Sequence, residues 1–122
     1  MVREDGLICA SDRLVEGGDA VRFELERPAG AVAAFVVRYR GQARGFLNRC
    51  AHRPMELDLI PGRIFDRAGR YLVCSTHAAV YDPATGDCVG GPCVGASLVP
   101  VPVFERDGQV FLTLERYQHE RG

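Results

Sequence analysis

The sequence predicts an all-β protein: an antiparallel β-sandwich or open barrel into which a small subdomain is inserted. Short apolar runs separated by Gly, Pro and Asp predict strands, and no helical periodicity persists for more than about two turns. Two strand-rich regions are separated by residues 47–95, which are rich in Gly, Pro, Cys and Arg. This contrast predicts that residues 47–95 form the inserted subdomain and that any chemistry lies there.

The first strand-rich region begins with alternating apolar residues at Val21, Phe23 and Leu25. A run of β-branched and aromatic residues follows over 32–39, and residues 43–47 continue the pattern. We expect Gly41-Gln42 to form the turn between these last two strands.

The second strand-rich region predicts a hairpin near the C-terminus. Its turn is expected at Arg106-Asp107-Gly108, and its strands at the alternating apolar residues on either side: Val99, Val101 and Val103, then Val110, Leu112 and Leu114.

Length and composition narrow the class of protein. A chain of 122 residues is expected to form a single domain over 1–122, since ordinary domains contain about 100–150 residues. The net charge of −1 argues against a dedicated nucleic-acid binder or membrane-surface binder. No apolar run approaches the roughly 18 residues of a membrane span, and the first residues lack the order of a signal peptide. A cytoplasmic protein that binds neither nucleic acid nor membrane is therefore expected.

Five cysteines are an odd number, so they cannot all pair in intramolecular disulfides. Two short motifs offer metal ligation instead: Cys50-Ala51-His52 and Cys74-Ser75-Thr76-His77. Each motif supplies one thiolate and one imidazole from a single loop tip. A structural zinc site is one interpretation, because two Cys and two His form a good tetrahedral zinc set.

The spacing C-x-H followed by C-x-x-H resembles that of the Rieske family. The resemblance continues through Tyr81-Asp82-Pro83-Ala84-Thr85-Gly86 and Gly90-Gly91-Pro92-Cys93 to Pro100-Val101-Pro102-Val103. It implies one Rieske-type [2Fe–2S] cluster, in which Cys50 and Cys74 bind one iron and His52 and His77 bind the other.

Departures from the family pattern indicate the subtype. Rieske proteins of respiratory and photosynthetic complexes carry an extra, disulfide-bonded Cys in each loop, whereas this chain has Met55 and Ser75 or Thr76 there. The chain therefore resembles the disulfide-free, ferredoxin-like branch. After the last ligand the family usually has Gly, followed in high-potential members by Ser; here these are Ala78 and Ala79.

Tyr81 falls where high-potential members keep a Tyr that donates a hydrogen bond to a ligand sulfur, so the resemblance implies a cluster-tuning role. A core aromatic residue on a strand is the other interpretation. Gly91, Pro92 and Cys93 match the family's proline loop, which shields the cluster, although a simple turn is also consistent with them. Cys88 and Cys93 are close enough in sequence to form a disulfide, and this pairing stays open.

The resemblance implies a ferredoxin that carries single electrons, from a flavin reductase to an oxygenase or similar terminal enzyme. Rieske oxygenases need a second domain with a mononuclear iron, so we expect no catalysis by this chain itself. One alternative is a small subunit of a nitrite-reductase-like oxidoreductase complex. Another, of a different class, is a zinc-stabilised interaction module.

The distribution of charge suggests where redox partner proteins would dock. Residues 38–77 contain eight Arg and three acidic residues, a net charge of +5. Arg49 and Arg53 flank the first motif, so they are the candidate docking residues for an acidic partner surface. The competing interpretation is a set of scattered, solvated side chains.

Overall fold

The structure, a computed structural model, describes residues 5–51, 55–75 and 78–113. It confirms the predicted all-β class, because the described residues form antiparallel sheets and one short 3₁₀ helix at Ser11–Arg13. The strands are β1 Leu7–Ala10, β2 Val21–Leu25, β3 Val32–Tyr39, β4 Gln42–Leu47, β5 Leu72–Val73, β6 Val80–Tyr81, β7 Cys88–Gly90, β8 Pro100–Val101, β9 Val103–Arg106 and β10 Gln109–Leu112.

The strands form three sheets. The outer sheet has the order β1-β10-β9, the central sheet β2-β3-β4-β8 and the small sheet β5-β6-β7. All strands of the small sheet come from residues 72–90, within the segment expected to form the subdomain. The division of the chain into one domain with an inserted subdomain stays a prediction.

Strand β3 explains why the longest apolar run in the sequence is continuous rather than alternating. Ala34 and Val36 pack into a first core between the outer and central sheets. Phe35 and Val37 point to the opposite face and pack into a second core with residues of the small sheet and its loops. Residues 34–37 are buried on both faces of the strand and so leave no position for polar side chains, whereas Arg38, near the end of β3, is partly exposed.

Two hairpins have two-residue turns in which both residues have positive φ. Asp107-Gly108 joins β9 to β10 with φ angles of 52° and 74°, as the sequence predicted. The prediction for the β3–β4 turn was wrong by one residue, because Arg40-Gly41 occupies it with φ angles of 53° and 76°. The Glu16 carboxylate accepts hydrogen bonds from the N–H groups of Arg40 (2.6 Å) and Gly41 (2.8 Å), which stabilises a non-glycine residue in this conformation.

The predicted strand through Val99, Val101 and Val103 is broken at Pro102. Pro100–Val101 pairs with β4 of the central sheet, whereas β9, beginning at Val103, pairs with β10 of the outer sheet. Proline has no N–H to donate to a ladder, so it is suited to the point at which a chain leaves one sheet for another.

Arg38 and Glu105 link the central sheet to the outer sheet. The guanidinium of Arg38 donates to both carboxylate oxygens of Glu105, over 2.9 Å and 2.7 Å. It also donates to the carbonyl groups of Leu14 and Ser11. The hydrogen bonds that Arg38 donates to the Glu105 carboxylate are the main cause that lowers the pKa of Glu105 to about 2.

We expect the Arg38–Glu105 pair to make folding stability depend on pH in the acid range. Since the pKa of Glu105 is lowered from 4.5 to about 2 on folding, its contribution is complete above pH 4.5 and is lost as the pH falls towards 2. The side chain of Glu105 is 29% exposed, so solvent screening reduces this contribution to about 1 kcal/mol. Glu105→Gln should therefore lower the free energy of unfolding at neutral pH, and the difference from wild type should shrink on acidification.

Denaturant titrations at neutral and acid pH test this expectation. Glu24→Gln, which changes an exposed carboxylate on β2, is the matched control. A Glu105→Gln difference that stays constant across this pH range would contradict it.

No helix in the described part of the chain is long and apolar enough to cross a membrane.

Candidate metal centre

The two motif cysteines lie at the ends of strands from different sheets. Cys50 follows β4 of the central sheet, and Cys74 follows β5 of the small sheet. Both are buried in the second core, with exposed fractions of 2% and 0%. His52, His77 and Arg53 lie outside the described residues, so their assignment as ligands and docking residue stays a prediction.

Backbone hydrogen bonds shape both motif loops. In the first, the N–H of Cys50 donates to the carbonyl of Met55 over 2.7 Å. In the second, the N–H of Cys74 donates to the carbonyl of Ala79 and the N–H of Ala78 to that of Cys74, each over 2.9 Å. These bonds fix the described backbone on both sides of each motif.

A further backbone hydrogen bond joins the two loops to each other. The N–H of Ser75 donates to the carbonyl of Leu57 over 2.9 Å. Ser75 is one of the positions at which the sequence lacks the extra Cys of the disulfide-linked branch. The described residues thus show a main-chain link between the loops in the region where that branch has its disulfide.

Tyr81 contacts the first two residues of the first motif, Cys50 and Ala51. Its side chain is completely buried on β6, and its hydroxyl oxygen lies 3.2 Å from Cys50 Sγ. The N–H of Ala51 donates to the same hydroxyl over 2.9 Å. Burial raises the pKa of Tyr81, and the hydrogen bonds with Cys50 and Cys93 raise it further, so the phenol keeps its proton. Tyr81 is a core aromatic residue and also contacts the sulfur of Cys50; its tuning role stays a proposal.

The Gly91-Pro92-Cys93 loop packs against the second motif loop. Gly91 has a φ of 88°, and a Cβ there would lie 2.8 Å from the carbonyl oxygen of Ala78. Only glycine combines this conformation with this close approach. Gly91 and Pro92 are exposed, whereas Cys93 is buried.

Cys88 and Cys93 are not joined by a disulfide. The Cys93 thiol donates to the Tyr81 hydroxyl over 3.4 Å, and the Cys88 thiol donates to the carbonyl of Gly90 over 3.2 Å. The disulfide that the sequence left open is therefore absent from the structure, and both thiols have hydrogen-bond partners.

Ala78 and Ala79 occupy the two positions at which the family usually has Gly and, in high-potential members, Ser. Ala78 has a φ of 56°, in the left-handed region, which agrees with the Gly that the family usually has at this position. Ala79 is completely buried and has no hydroxyl to donate. The hydrogen bond expected from a Ser at position 79 in high-potential members is thus missing here.

Sequence inspection missed a buried polar cluster that supports the first motif. The Asn48 amide donates to Asp58 over 2.9 Å and accepts a hydrogen bond from the N–H of Leu57 over 2.8 Å. Asp58 also accepts from the N–H of Gly62 over 2.8 Å, and Arg22 on β2 pairs with it over 3.5 Å. These bonds hold both ends of the first loop. The sequence feature that could have indicated this cluster is the carboxylate of Asp58 between Leu57 and Leu59.

The described residues fit the cysteine half of a Rieske site. Two buried thiols lie on segments whose backbones are hydrogen-bonded to each other, and the hydroxyl of Tyr81 lies within hydrogen-bond distance of one sulfur. Thiolates in such surroundings are suitable ligands for an iron–sulfur cluster. Within the described residues, no group of three or more Cys, His, Asp or Glu could hold a metal ion.

Sequence comparison assigns the chain to a family. The model of the Rieske [2Fe–2S] domain family matches residues 6–115. Because this match spans most of the chain, the protein belongs to the Rieske [2Fe–2S] domain family, and its cofactor is a [2Fe–2S] cluster rather than zinc. Among curated proteins, none matches the chain significantly.

Solved structures share the fold. A ferredoxin from Sphingomonas yanoikuyae B1 is 24% identical with a TM-score of 0.68, over 87% of this chain and 94% of that one. The ferredoxin of carbazole 1,9a-dioxygenase from Nocardioides aromaticivorans IC177 is 20% identical with a TM-score of 0.65, over 87% and 93% of the two chains. A chain in a complex of reduced oxygenase and oxidized ferredoxin in carbazole 1,9a-dioxygenase is 23% identical with a TM-score of 0.67, over 87% and 89%.

Proposed function

We propose that this protein is a Rieske-type ferredoxin that carries single electrons from a flavin reductase to an oxygenase or similar terminal enzyme. The observation that carries this proposal is the pair of buried cysteines, on two linked loops, in a chain of the Rieske family. Structurally similar ferredoxins, one of them in a complex with an oxygenase, support it over a nitrite-reductase-like subunit. A cytoplasmic location is part of the proposal.

When bound, the [2Fe–2S] cluster accepts and releases one electron, within the Rieske range of about −150 to +300 mV. In this proposal Cys50, His52, Cys74 and His77 hold it. Tyr81 donates a hydrogen bond to the Cys50 sulfur, which favours the more negative, reduced state. The loop of Gly91, Pro92 and Cys93 packs on Ala78 and Ala79, directly after the second motif, and in this proposal it limits access of water to the cluster.

Of the two docking residues predicted from sequence, Arg49 is the one that the structure describes. Arg49 is exposed and directly precedes Cys50. Glu56, the acidic residue nearest to it in the first loop, forms an ion pair with Arg22 of β2. Glu56 is thereby drawn towards β2, which supports a positive surface at Arg49.

Not every arginine of the basic segment, residues 38–77, is free to attract an acidic partner. Arg38 belongs to the +5 count over residues 38–77, yet it pairs with Glu105 between the central and outer sheets. We therefore assign docking to Arg49, together with Arg53 as predicted from sequence, and not to the segment in general.

We expect the rate of electron transfer to an oxygenase partner with an acidic docking surface to fall as salt concentration rises. The physical reason is that long-range attraction between exposed charges is screened over a Debye length of about 8–10 Å at 0.1–0.15 M salt. Arg49→Glu should lower the second-order rate constant at low salt and flatten this dependence. Stopped-flow oxidation of the reduced ferredoxin by the partner measures both effects.

Arg13→Glu is the matched control, because Arg13 is an exposed arginine in the 3₁₀ helix that follows β1 and the change in net charge is the same. Equal losses of rate in the two variants would place docking elsewhere. A reduced wild-type protein with no Rieske EPR signal would overturn the ferredoxin proposal itself.

A further inference from the structure

The buried hydroxyl of Tyr81 has three hydrogen-bond neighbours, one of which the family resemblance does not account for. They are the N–H of Ala51 at 2.9 Å, Cys50 Sγ at 3.2 Å and Cys93 Sγ at 3.4 Å. The first two belong to the first ligand motif. The third comes from the proline loop, where a cysteine has no assigned role beyond packing.

We propose that Cys93 is a positioning residue, whose thiol donates to the Tyr81 hydroxyl and strengthens the hydrogen bond that the phenol donates to Cys50. The inference rests on the proposed electron-transfer function and deepens it. It assigns to this chain a second residue that sets the cluster potential, acting through Tyr81 rather than on the cluster.

The number of donors and acceptors decides where each proton points. A phenol has one O–H to donate and oxygen lone pairs that accept. The Ala51 N–H can only donate, so it uses one acceptor position. Cys50 as a cluster ligand is a thiolate, which has no proton and can only accept. The single Tyr81 proton therefore goes to Cys50, because an anionic sulfur is a stronger acceptor than a neutral thiol.

Cys93 then completes the arrangement as a donor. Burial and the contact with Cys88 raise the pKa of its thiol and outweigh the hydrogen bond with Tyr81, which lowers it, so the sulfur keeps its proton. A donor at the phenol oxygen polarises the O–H group and strengthens the bond that Tyr81 donates, by about 10–30% in hydrogen-bond chains. All three interactions of the Tyr81 hydroxyl are then satisfied.

The fold holds Cys93 in place for this task. Gly91, two residues earlier, packs directly on the backbone of Ala78 and Ala79. On the other side, the N–H of Ala96 donates to the Cys93 carbonyl over 2.9 Å. The thiol is thus anchored from both sides in the second core, which also contains Tyr81 and Cys50.

Midpoint potentials of the loaded protein, measured by voltammetry, test the inference. Tyr81→Phe should lower the potential, because it removes the donor to Cys50. Cys93→Ala should lower it by about 10–30% of the Tyr81→Phe shift, and Cys93→Val by a similar fraction with no space left for a replacing water. Cys93→Ser, which keeps a donor, should stay closer to wild type.

The double variant Tyr81→Phe/Cys93→Ala separates positioning from packing. If Cys93 acts through Tyr81, the double variant should have the potential of Tyr81→Phe alone. Cys9→Ala, which removes a buried cysteine from the first core, is the control and should leave the potential unchanged.

Three results would overturn the inference. Cys93→Ala and Cys93→Val at the wild-type potential would mean that Cys93 only packs. A full Cys93→Ala shift in the Tyr81→Phe background would mean that it acts by another route. A Tyr81→Phe variant with the wild-type potential would show that the hydrogen bond from Tyr81 to Cys50, on which the inference depends, does not affect the cluster. In each case an intact Rieske EPR signal leaves the ferredoxin proposal standing, whereas its absence from the wild type would overturn that proposal.

Discussion

Replacing any one of Cys50, His52, Cys74 or His77 by a residue that cannot bind iron is expected to abolish the Rieske EPR signal. The physical reason is that each iron of the cluster depends on two protein ligands, and neither motif contains a spare Cys or His. Cys50→Ala, His52→Ala, Cys74→Ala and His77→Ala are the variants, and EPR of the reduced protein with the iron-to-protein ratio is the measurement.

Two variants serve as matched controls. Cys9→Ala removes a cysteine that is buried in the first core, away from both motifs, and should retain the full signal. His119→Ala removes the third histidine of the sequence, which has no ligand partner nearby in the chain. A Rieske signal of full intensity in any of the four ligand variants would exclude that residue from the cluster.

Gly91→Ala is expected to destabilise the contact between the proline loop and the second motif loop. The added Cβ would lie 2.8 Å from the Ala78 carbonyl oxygen and 2.9 Å from the Ala79 Cα, and the φ of 88° is itself unfavourable for alanine. Conformational strain of about 1–2 kcal/mol and overpacking of about 1–3 kcal/mol add to a loss of about 2–5 kcal/mol in the free energy of unfolding. Because Ala78 directly follows His77, the cluster content should fall as well.

Gly95→Ala is the control that separates the two causes of destabilisation in Gly91→Ala, the steric clash and the backbone strain. Gly95 has a φ of 100°, yet a Cβ there would meet no atom within 4 Å. This variant should lose only the strain of about 1–2 kcal/mol and keep its cluster. Urea titrations followed by circular dichroism, together with iron analysis, compare the two. Equal destabilisation would show that the proline loop does not press on the second motif loop.

Local patterns in the sequence predicted much of the architecture, because turn and strand signals act over a few residues. Asp107-Gly108 has the residues that a two-residue hairpin turn favours, and it forms that turn. At Arg40-Gly41 the turn starts one residue earlier than predicted, since the Glu16 carboxylate, distant in sequence, binds both N–H groups. The exchange between sheets at Pro102 was also missed, because alternation does not reveal which strand is the partner.

The ligand motifs, the all-β class and the family are properties of the sequence by itself. A Cys and a His at short, defined spacing predict two ligands on one loop, and this prediction requires no knowledge of the rest of the chain. Composition and apolar runs likewise determine the class, since they decide whether strands or helices can bury their side chains.

Only the tertiary structure decided which distant residues support these motifs. Tyr81 contacts Cys50, 31 positions away in the sequence, and Cys93, 12 positions away. Asn48 donates a hydrogen bond to Asp58. Arg38, although part of the basic segment, forms an ion pair with Glu105, 67 positions away. Such contacts depend on strand register and on which face of a strand each side chain occupies. A shift of one residue would turn Tyr81 away from Cys50, so its role depends on the packing of β6 and not on its identity alone.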